Sequence, residues 1–211
     1  NEHAVRDLRR RKRRSNKPLA VMVGNIEGAR ALCTIDEAEA ELLTGSIRPI
    51  VLLRRRKQDE RNDEWGAEQG KGGSDHSPKG DGSSRPESDG NDSSSSNGSN
   101  YPSLAPSVAF DLSELGIMLP YTPLQHLLLA ACAARGVHTL VMTSGNVSEE
   151  PIETDDELAW AHLVEGGLAD ALLGNNRAIL TRYDDSVVRV VNGNVMPVRR
   201  ARGYAPQPLD L

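Results

Sequence analysis

The 211-residue chain carries 25 basic and 30 acidic side chains, a formal net charge of −5, and 37% hydrophobic residues. Its length suits one domain of ordinary size or a domain carrying a long insertion. Aromatic residues make up only 3%, so the core must be built from Leu, Ile, Val and Ala. No apolar run reaches the ~18 residues of a membrane span, and no charged-then-apolar signal sequence opens the chain. Cys33 and Cys132 lie far apart and without metal-ligand spacing, which argues against a disulfide framework or a redox pair. These features predict a soluble, cytoplasmic protein with reduced cysteines and no membrane partner.

Residues 1–14 read as a helix with a narrow apolar stripe of Ala4, Val5 and Leu8. Arg9, Arg10, Arg11, Lys12, Arg13, Arg14 and Lys17 follow one another with no carboxylate between them. Self-repulsion along such a run argues for an anionic, phosphate-rich ligand, a solvated basic face being the plainer alternative. Arg9 reads as a peripheral charge, screened by water. Ser15, Asn16 and Pro18 end the helix, and 19–23 reads as a strand. Thr34-Ile35-Asp36-Glu37 has the form of a capping box, opening a helix that runs to Leu43 and stops at Gly45. A strand over 47–53 follows, which Pro49 places at a sheet edge or near the strand's beginning. Residues 58–100 are dominated by Gly, Ser, Asn and Asp without apolar periodicity. They read as a disordered surface insertion within a single domain spanning 1–211, because neither flank alone carries a full core.

Residues 103–109 form a short transition, and 115–120 is an apolar segment ending at proline. Thr122 before Pro123 is a helix N-cap. Leu124, Leu127, Leu128 and Ala131 then recur at the spacing of one buried helical face, in a helix that Gly136 ends. A strand over 138–142 runs into the polar turn Thr143-Ser144-Gly145-Asn146, at a strand end where α/β proteins place ligand contacts. Thr154-Asp155-Asp156-Glu157 repeats the capping-box form at a helix containing Leu158, Ala161 and Val164 and closed by Gly166-Gly167. Strands over 187–191 and 195–198 flank Asn192-Gly193, a type I′ hairpin signal, and Arg199, Arg200 and Arg202 form a second basic cluster. Helices and strands alternate and then end in a hairpin, which predicts an α/β fold with an open mixed sheet and flanking helices. The two basic clusters would meet if the first and last strands were neighbours.

There is no GxxxxGK[ST] loop and no GxGxxG fingerprint. Thr122, Ser144, Asn146 and Ser186, each in a polar turn beside an apolar segment, supply with the arginines the inventory of a phosphate and nucleotide pocket. Taken singly, each hydroxyl is more readily a cap or turn former. RKRRSNKPLAVM at 11–22, LPYTPLQHLLL at 119–129, VMTSGNVSEEPI at 141–152, RYDDSVVRV at 182–190 and RRARGYAP at 199–206 stand in the order found in a known family. On these motifs the chain resembles the YrdC/Sua5-like domain of the hydrogenase-maturation carbamoyltransferase HypF.

The resemblance implies an open twisted sheet whose positively charged concave face binds ATP, with Mg²⁺. It implies formation of carbamoyl-adenylate from carbamate, itself released from carbamoyl phosphate elsewhere in a full-length protein, as a step of carbamoyl transfer in [NiFe]-hydrogenase maturation. The other modules would be acylphosphatase, zinc-finger and Kae1-like, and a partner protein's cysteine would receive the carbamoyl group. It also implies that the chain begins inside the family domain, without preceding strands and a glycine-rich turn. Residue by residue, Lys12, Arg14 and Lys17 match the basic motif and would contact triphosphate, Arg14 and Lys17 aligning it. Thr122 matches a proline–threonine turn, Ser144 and Asn146 a clamp on the adenylate, Ser186 a phosphate neighbour, and Arg199 the arginine of the closing strand. Asp184 and Asp185 are the candidates for Mg²⁺, with turn capping as the other reading. Ser15, Gln125, Asn175 and Ala201 depart from the family pattern. Two alternatives share the same residues: a threonylcarbamoyl-AMP synthase for tRNA modification, and a double-stranded RNA-binding module.

Overall fold

The structure, a computed structural model, describes residues 1–56 and 104–208; the predicted disordered insertion over 58–100 lies outside the described residues. Helix α1 (Glu2–Lys12) starts where Asn1 Oδ1 accepts the Ala4 N–H at 2.9 Å, and ends where Arg13 turns left-handed at φ 53°. Strand β1 (Ala20–Val23) follows, then α2 (Ile26–Leu32), whose seven residues are too few for a periodic signal and whose cap is Asn25.

Helix α3 (Glu37–Thr44) opens on a capping box, as expected, but its N-cap is Asp36 rather than Thr34. Asp36 Oδ1 accepts the Glu39 N–H at 2.8 Å while Glu39 Oε2 accepts the Asp36 N–H at 2.9 Å. Thr34 cannot start the helix, because its own N–H is donated to Arg54 O at 2.9 Å and the chain there is still extended. The cap shifts again later, and here no capping box closes: Asp155, not Thr154, caps α5 (Asp156–Ala159), its Oδ1 accepting the Glu157 and Leu158 N–H groups while Leu158, three residues on, has no polar side chain to return the bond; the helix then widens into a π-helical turn over Trp160–Glu165. Ala159 and Leu163 are the buried residues of that segment. Helix α4 (Pro123–Ala133) starts at Thr122 as predicted.

Strands β1, β2 (Ile50–Arg54), β3 (Glu114–Met118), β4 (Thr139–Met142), β5 (Val187–Val191) and β6 (Asn194–Arg199) form one six-stranded sheet in the order β4-β1-β3-β2-β5-β6. Pairs β1–β3 and β2–β5 are parallel, the other three antiparallel, so the predicted mixed sheet is present. Pro49 stands just before β2, an internal strand, where no ladder hydrogen bond is asked of it. Asn192 and Gly193 both have positive φ, 52° and 75°, as a type I′ turn requires. Contrary to the expectation for the two basic clusters, β1 and β6 are not neighbours; β3, β2 and β5 lie between them.

Strand alternation divides the sheet into two unlike faces. Val21, Val23, Val51, Leu53, Leu115, Ile117 and Val188 point to one face, where they pack with Val5 of α1, Ala29 and Leu32 of α2 and Leu43 of α3. On the opposite face only Met22, Met118 and Leu129 are buried together. Helix α4 rests on that face through Leu129, and its predicted buried stripe is exposed: Leu124 at 50%, Leu127 at 70% and Leu128 at 43%, with Ala131 also exposed. The helix is turned so that Leu129 meets Met22 and Met118, and nothing among the described residues covers its other side. Ile117→Ala should therefore cost about 2–5 kcal/mol in a denaturant titration, whereas Leu127→Ala should leave the midpoint close to the parent's. Equal losses would show that α4 buries the stripe after all.

Candidate functional site

The basic run is not a free positive surface. Arg9, 7% exposed, is buried under its own turn. Its Nη1 donates to the carbonyls of Arg14 (3.0 Å), Ser15 (3.2 Å) and Lys17 (3.0 Å), its Nε to Ser107 O (2.7 Å) and its Nη2 to Val108 O (3.3 Å). The guanidinium carbon lies 4.5 Å from the centre of the Phe110 ring. Arg9 is thus no peripheral charge, and the expectation that it is screened by water fails because five carbonyls have replaced the water. Lys12, 1% exposed, donates to Ser144 O, to Asn146 O at 2.7 Å and to Asn146 Oδ1 at 2.9 Å. Burial, with the field of Arg14 added, pushes its ammonium down to about 8. Arg6 pairs with Glu2, Arg10 with Asp7, and Arg11 with both Asp7 and Asp170. Helical spacing brings carboxylates from before the run beside it.

The cations left over face a cavity of about 580 Å³ on the open face of the sheet. Its floor is Ala20, Ile50, Leu52, Gly116 and Met118, and Arg14, Lys17 and Arg199 stand around it. Arg14 donates to Pro18 O at 2.8 Å; burial and the nearby Arg199 lower its pKa, with Glu149 opposing. The two basic clusters therefore do meet, across the open face rather than through neighbouring strands. Lys17 pairs with Glu149 at 2.6 Å and Arg199 with Asp184 at 3.0 Å. Asp185 accepts from Arg202 Nε at 2.9 Å and from the Tyr121 hydroxyl at 3.2 Å, while the Arg202 guanidinium stacks 3.5 Å from the Tyr121 ring centre. Burial, followed by the charge of Asp185, raises the pKa of that hydroxyl.

Of the residues singled out from the sequence, Arg14, Lys17, Ser144, Asp184, Asp185 and Arg199 line this one cavity. Lys12, Thr122, Asn146 and Ser186 do not; they lie in its supporting wall. Thr122 Oγ1 accepts the Gln125 N–H at 3.2 Å, and Gln125 Oε1 returns the bond to the N–H groups of Tyr121 and Thr122. Asn146 Oδ1 accepts from Lys12 and from Ser144 Oγ (2.7 Å), while its Nδ2 donates to Glu150 O at 2.5 Å. Ser186 is fully buried, donating to Arg202 O at 2.9 Å and accepting the Ala201 N–H at 2.8 Å. Tyr121, Gln125 and Arg202 were not marked as site residues by sequence reasoning; the available signal was the position of Tyr121 and Gln125 around the Thr122 cap. Among the described residues no three His, Cys, Asp or Glu side chains converge.

The family model described as "Telomere recombination", Sua5_yciO_yrdC, matches residues 1–73 and 97–201. The chain belongs to this YrdC/Sua5-like family. Within it the chain is similar to the carbamoyltransferases HypF: 38% identical over its whole length to HypF2 of Cupriavidus necator and 34% to HypF of Rhizobium leguminosarum bv. viciae. It covers 22% of each of those proteins, so it spans about a fifth of the length of these relatives. Among solved structures, full-length HypF in a phosphate- and nucleotide-bound form superposes with a TM-score of 0.72 at 37% identity, over 99% of this chain and 21% of that one. The HypF of T. kodakarensis gives 0.73 at 31%, over 99% of this chain and 21% of that one. Sua5 of P. abyssi, complexed with L-threonine, gives 0.59 at 12% identity, over 95% of this chain and 45% of that one, a likeness of fold.

Arg9→Ala should destabilise the fold by about 3 kcal/mol, since it strands several buried carbonyls at once. Arg6→Ala and Arg10→Ala, at exposed surface pairs, should leave the denaturation midpoint near the parent's. A mild effect of Arg9→Ala would show that the carbonyl cage is not needed to hold the turn.

Proposed function

We propose that this chain supplies the adenylate-forming pocket of HypF-type carbamoyl transfer, a step of [NiFe]-hydrogenase maturation. The observation that carries this reading is the convergence of Arg14 and Lys17, from the turn between α1 and β1, and Arg199, from the end of β6, on one cavity with an apolar floor. Support comes from the membership of the chain in the family and from its similarity to a HypF solved with phosphate and nucleotide. A cavity of about 580 Å³ lies in the range of small-molecule sites. Ile50, Leu52 and Met118 offer an apolar bed for a base, and the three cations offer charge for phosphates.

Such a reaction asks for no side-chain nucleophile. A carbamate oxygen attacks the α-phosphorus, the bond to the β-phosphate oxygen breaks, and pyrophosphate leaves with the electron pair. The protein contributes alignment and charge neutralisation. Arg14, Lys17 and Arg199 neutralise the phosphates, and Ser144 faces the adenylate. Lys12, Thr122, Asn146 and Ser186 act by holding these groups in place. Asp184 and Asp185 at the cavity's edge are the carboxylates that would hold a Mg²⁺ together with phosphate oxygens, which is how that ion is bound when few carboxylates are at hand. Carbamate would come from carbamoyl phosphate through an acylphosphatase module, and a Kae1-like module would pass the carbamoyl group toward the partner protein's cysteine. With Arg9 and Lys12 buried and bound to carbonyls, two cations of the basic run are withheld from a polyanion, which favours a nucleotide over double-stranded RNA.

Titration calorimetry with ATP and Mg²⁺ tests the pocket: Lys17→Ala and Arg199→Ala should each weaken binding roughly ten- to a hundredfold, the loss of a charge-assisted phosphate contact. Pyrophosphate release with carbamate then identifies the acyl donor. Release only with threonine and bicarbonate would transfer the pocket to threonylcarbamoyl-adenylate synthesis. RNA binding that persists near physiological salt and is not displaced by ATP would make the face a nucleic-acid site instead.

A further inference from the structure

We propose that Lys12 is a positioning residue: its buried ammonium sets the orientation of the Ser144-Gly145-Asn146 turn and so holds Ser144 at the cavity, without touching the ligand itself. The assignment to ligand binding rests on the nucleotide reading of the cavity given above. Lys12 is the last residue of α1 and does not line the cavity, whereas Ser144 does. The three donors of an ammonium match the three oxygens it meets: Ser144 O, Asn146 O and Asn146 Oδ1. All belong to one turn.

These contacts fix more than a distance. A trans peptide carries its C=O and the following N–H on opposite sides. Drawing the Ser144 carbonyl onto Lys12 therefore turns the Gly145 N–H away from it. Asn146 Oδ1, fixed by Lys12, in turn accepts the Ser144 hydroxyl at 2.7 Å, which settles the rotamer of the residue that faces the cavity. The oxygens about Lys12 are neutral. Arg14 is the charged group whose field reaches it, and Glu149, from the same loop, faces Lys17 and Arg14 instead. The charge is thus balanced by dipoles that are useful only while the nitrogen is protonated. With its ammonium lowered to about 8 by burial and Arg14, Lys12 loses a donor as pH rises through that value. The amine then presents a lone pair to carbonyl oxygens, and the turn is released.

The experiment compares the full chain with its Lys12→Met variant in two ways. Without nucleotide, amide hydrogen exchange across residues 143–150 should quicken in Lys12→Met while exchange in β1 and β3 stays slow. With ATP and Mg²⁺, the parent's affinity should fall as pH rises through about 8, and Lys12→Met should bind about tenfold more weakly with no such fall. Weakened ATP binding with unchanged exchange in the turn would mean that Lys12 contacts the nucleotide directly and would overturn the proposal. So would a pH profile in Lys12→Met that matches the parent's. If Lys12→Met does not fold, the parent alone decides: its Gly145 and Asn146 amide NMR signals must titrate with the midpoint of the ATP affinity, and an absence of titration there sinks the idea. If the parent binds no ATP, the nucleotide reading fails, while the exchange comparison still decides whether Lys12 holds the turn.

Discussion

The guanidinium of Arg9 is the contact on which the site's shape depends. One side chain gathers the carbonyls of Arg14, Ser15 and Lys17, which form the turn between α1 and β1, and ties them to Ser107 and Val108 from a segment about a hundred residues distant. Burying a charge is costly unless its hydrogen bonds are replaced, and here they are replaced by backbone oxygens that would themselves be costly to bury unpaired. The two penalties cancel only in the folded arrangement, so the contact specifies the turn. Lys12, one helical step further on the same face, repeats the device with the Ser144–Asn146 turn. The two walls of the cavity that carry Arg14, Lys17 and Ser144 are thus each held by a buried cation of a single helix.

The cavity's floor follows from the sheet's unequal faces. Helices α1, α2 and α3 cover the side to which Val21, Val51, Leu53 and Ile117 point, which leaves the alternate residues Ala20, Ile50, Leu52, Gly116 and Met118 to line the other. Gly116 matters there because a Cβ would come within 3.0 Å of Ile50 Cγ2, closer than ordinary side-chain contacts. A larger residue would either push Ile50 aside or stand up in the cavity. The open face stays shallow and apolar in the middle, with charge confined to its rim.

Much of the framework was legible in the sequence because local chemistry decides it. Asn192-Gly193 can be little other than a primed turn, Thr122-Pro123 is a helix start by its own chemistry, and the strands announce themselves as short apolar runs between polar turns. What local chemistry could not reveal was which competing partner wins. The helix caps lie a residue or two later than expected because Thr34 is still tied to Arg54, and Asp155 offers a better acceptor than Thr154. The stripe of Leu124, Leu127 and Leu128 has the spacing of a buried face, yet burial needs a neighbour, and spacing says nothing about one. The site divided in the same way. Residue types found the turns that matter, but whether Ser144 faces the cavity and Asn146 its wall depends on Lys12, which lies over a hundred positions away.

The basic run shows the limit of counting charges. Its net sign pointed to an anionic ligand, but the cations separate into two kinds that only their partners distinguish. Arg9 and Lys12 are bound by carbonyls in the interior; a phosphate could draw them out only by leaving those carbonyls unpaired, so they are fixed parts of the structure. Lys17 and Arg199 are bound by carboxylates in water, with side chains 65% and 51% exposed, where an ion pair is held weakly. A phosphate arriving at the cavity would replace Glu149 and Asp184 with a more highly charged acceptor and strand nothing, since Glu149 would return to solvent and Asp184 would be free to hold the Mg²⁺ proposed above. The carboxylates thus keep the cations ordered and the site's charge low until an anion competes for them. An oligophosphate that meets Arg14, Lys17 and Arg199 together competes far better than a single carboxylate can.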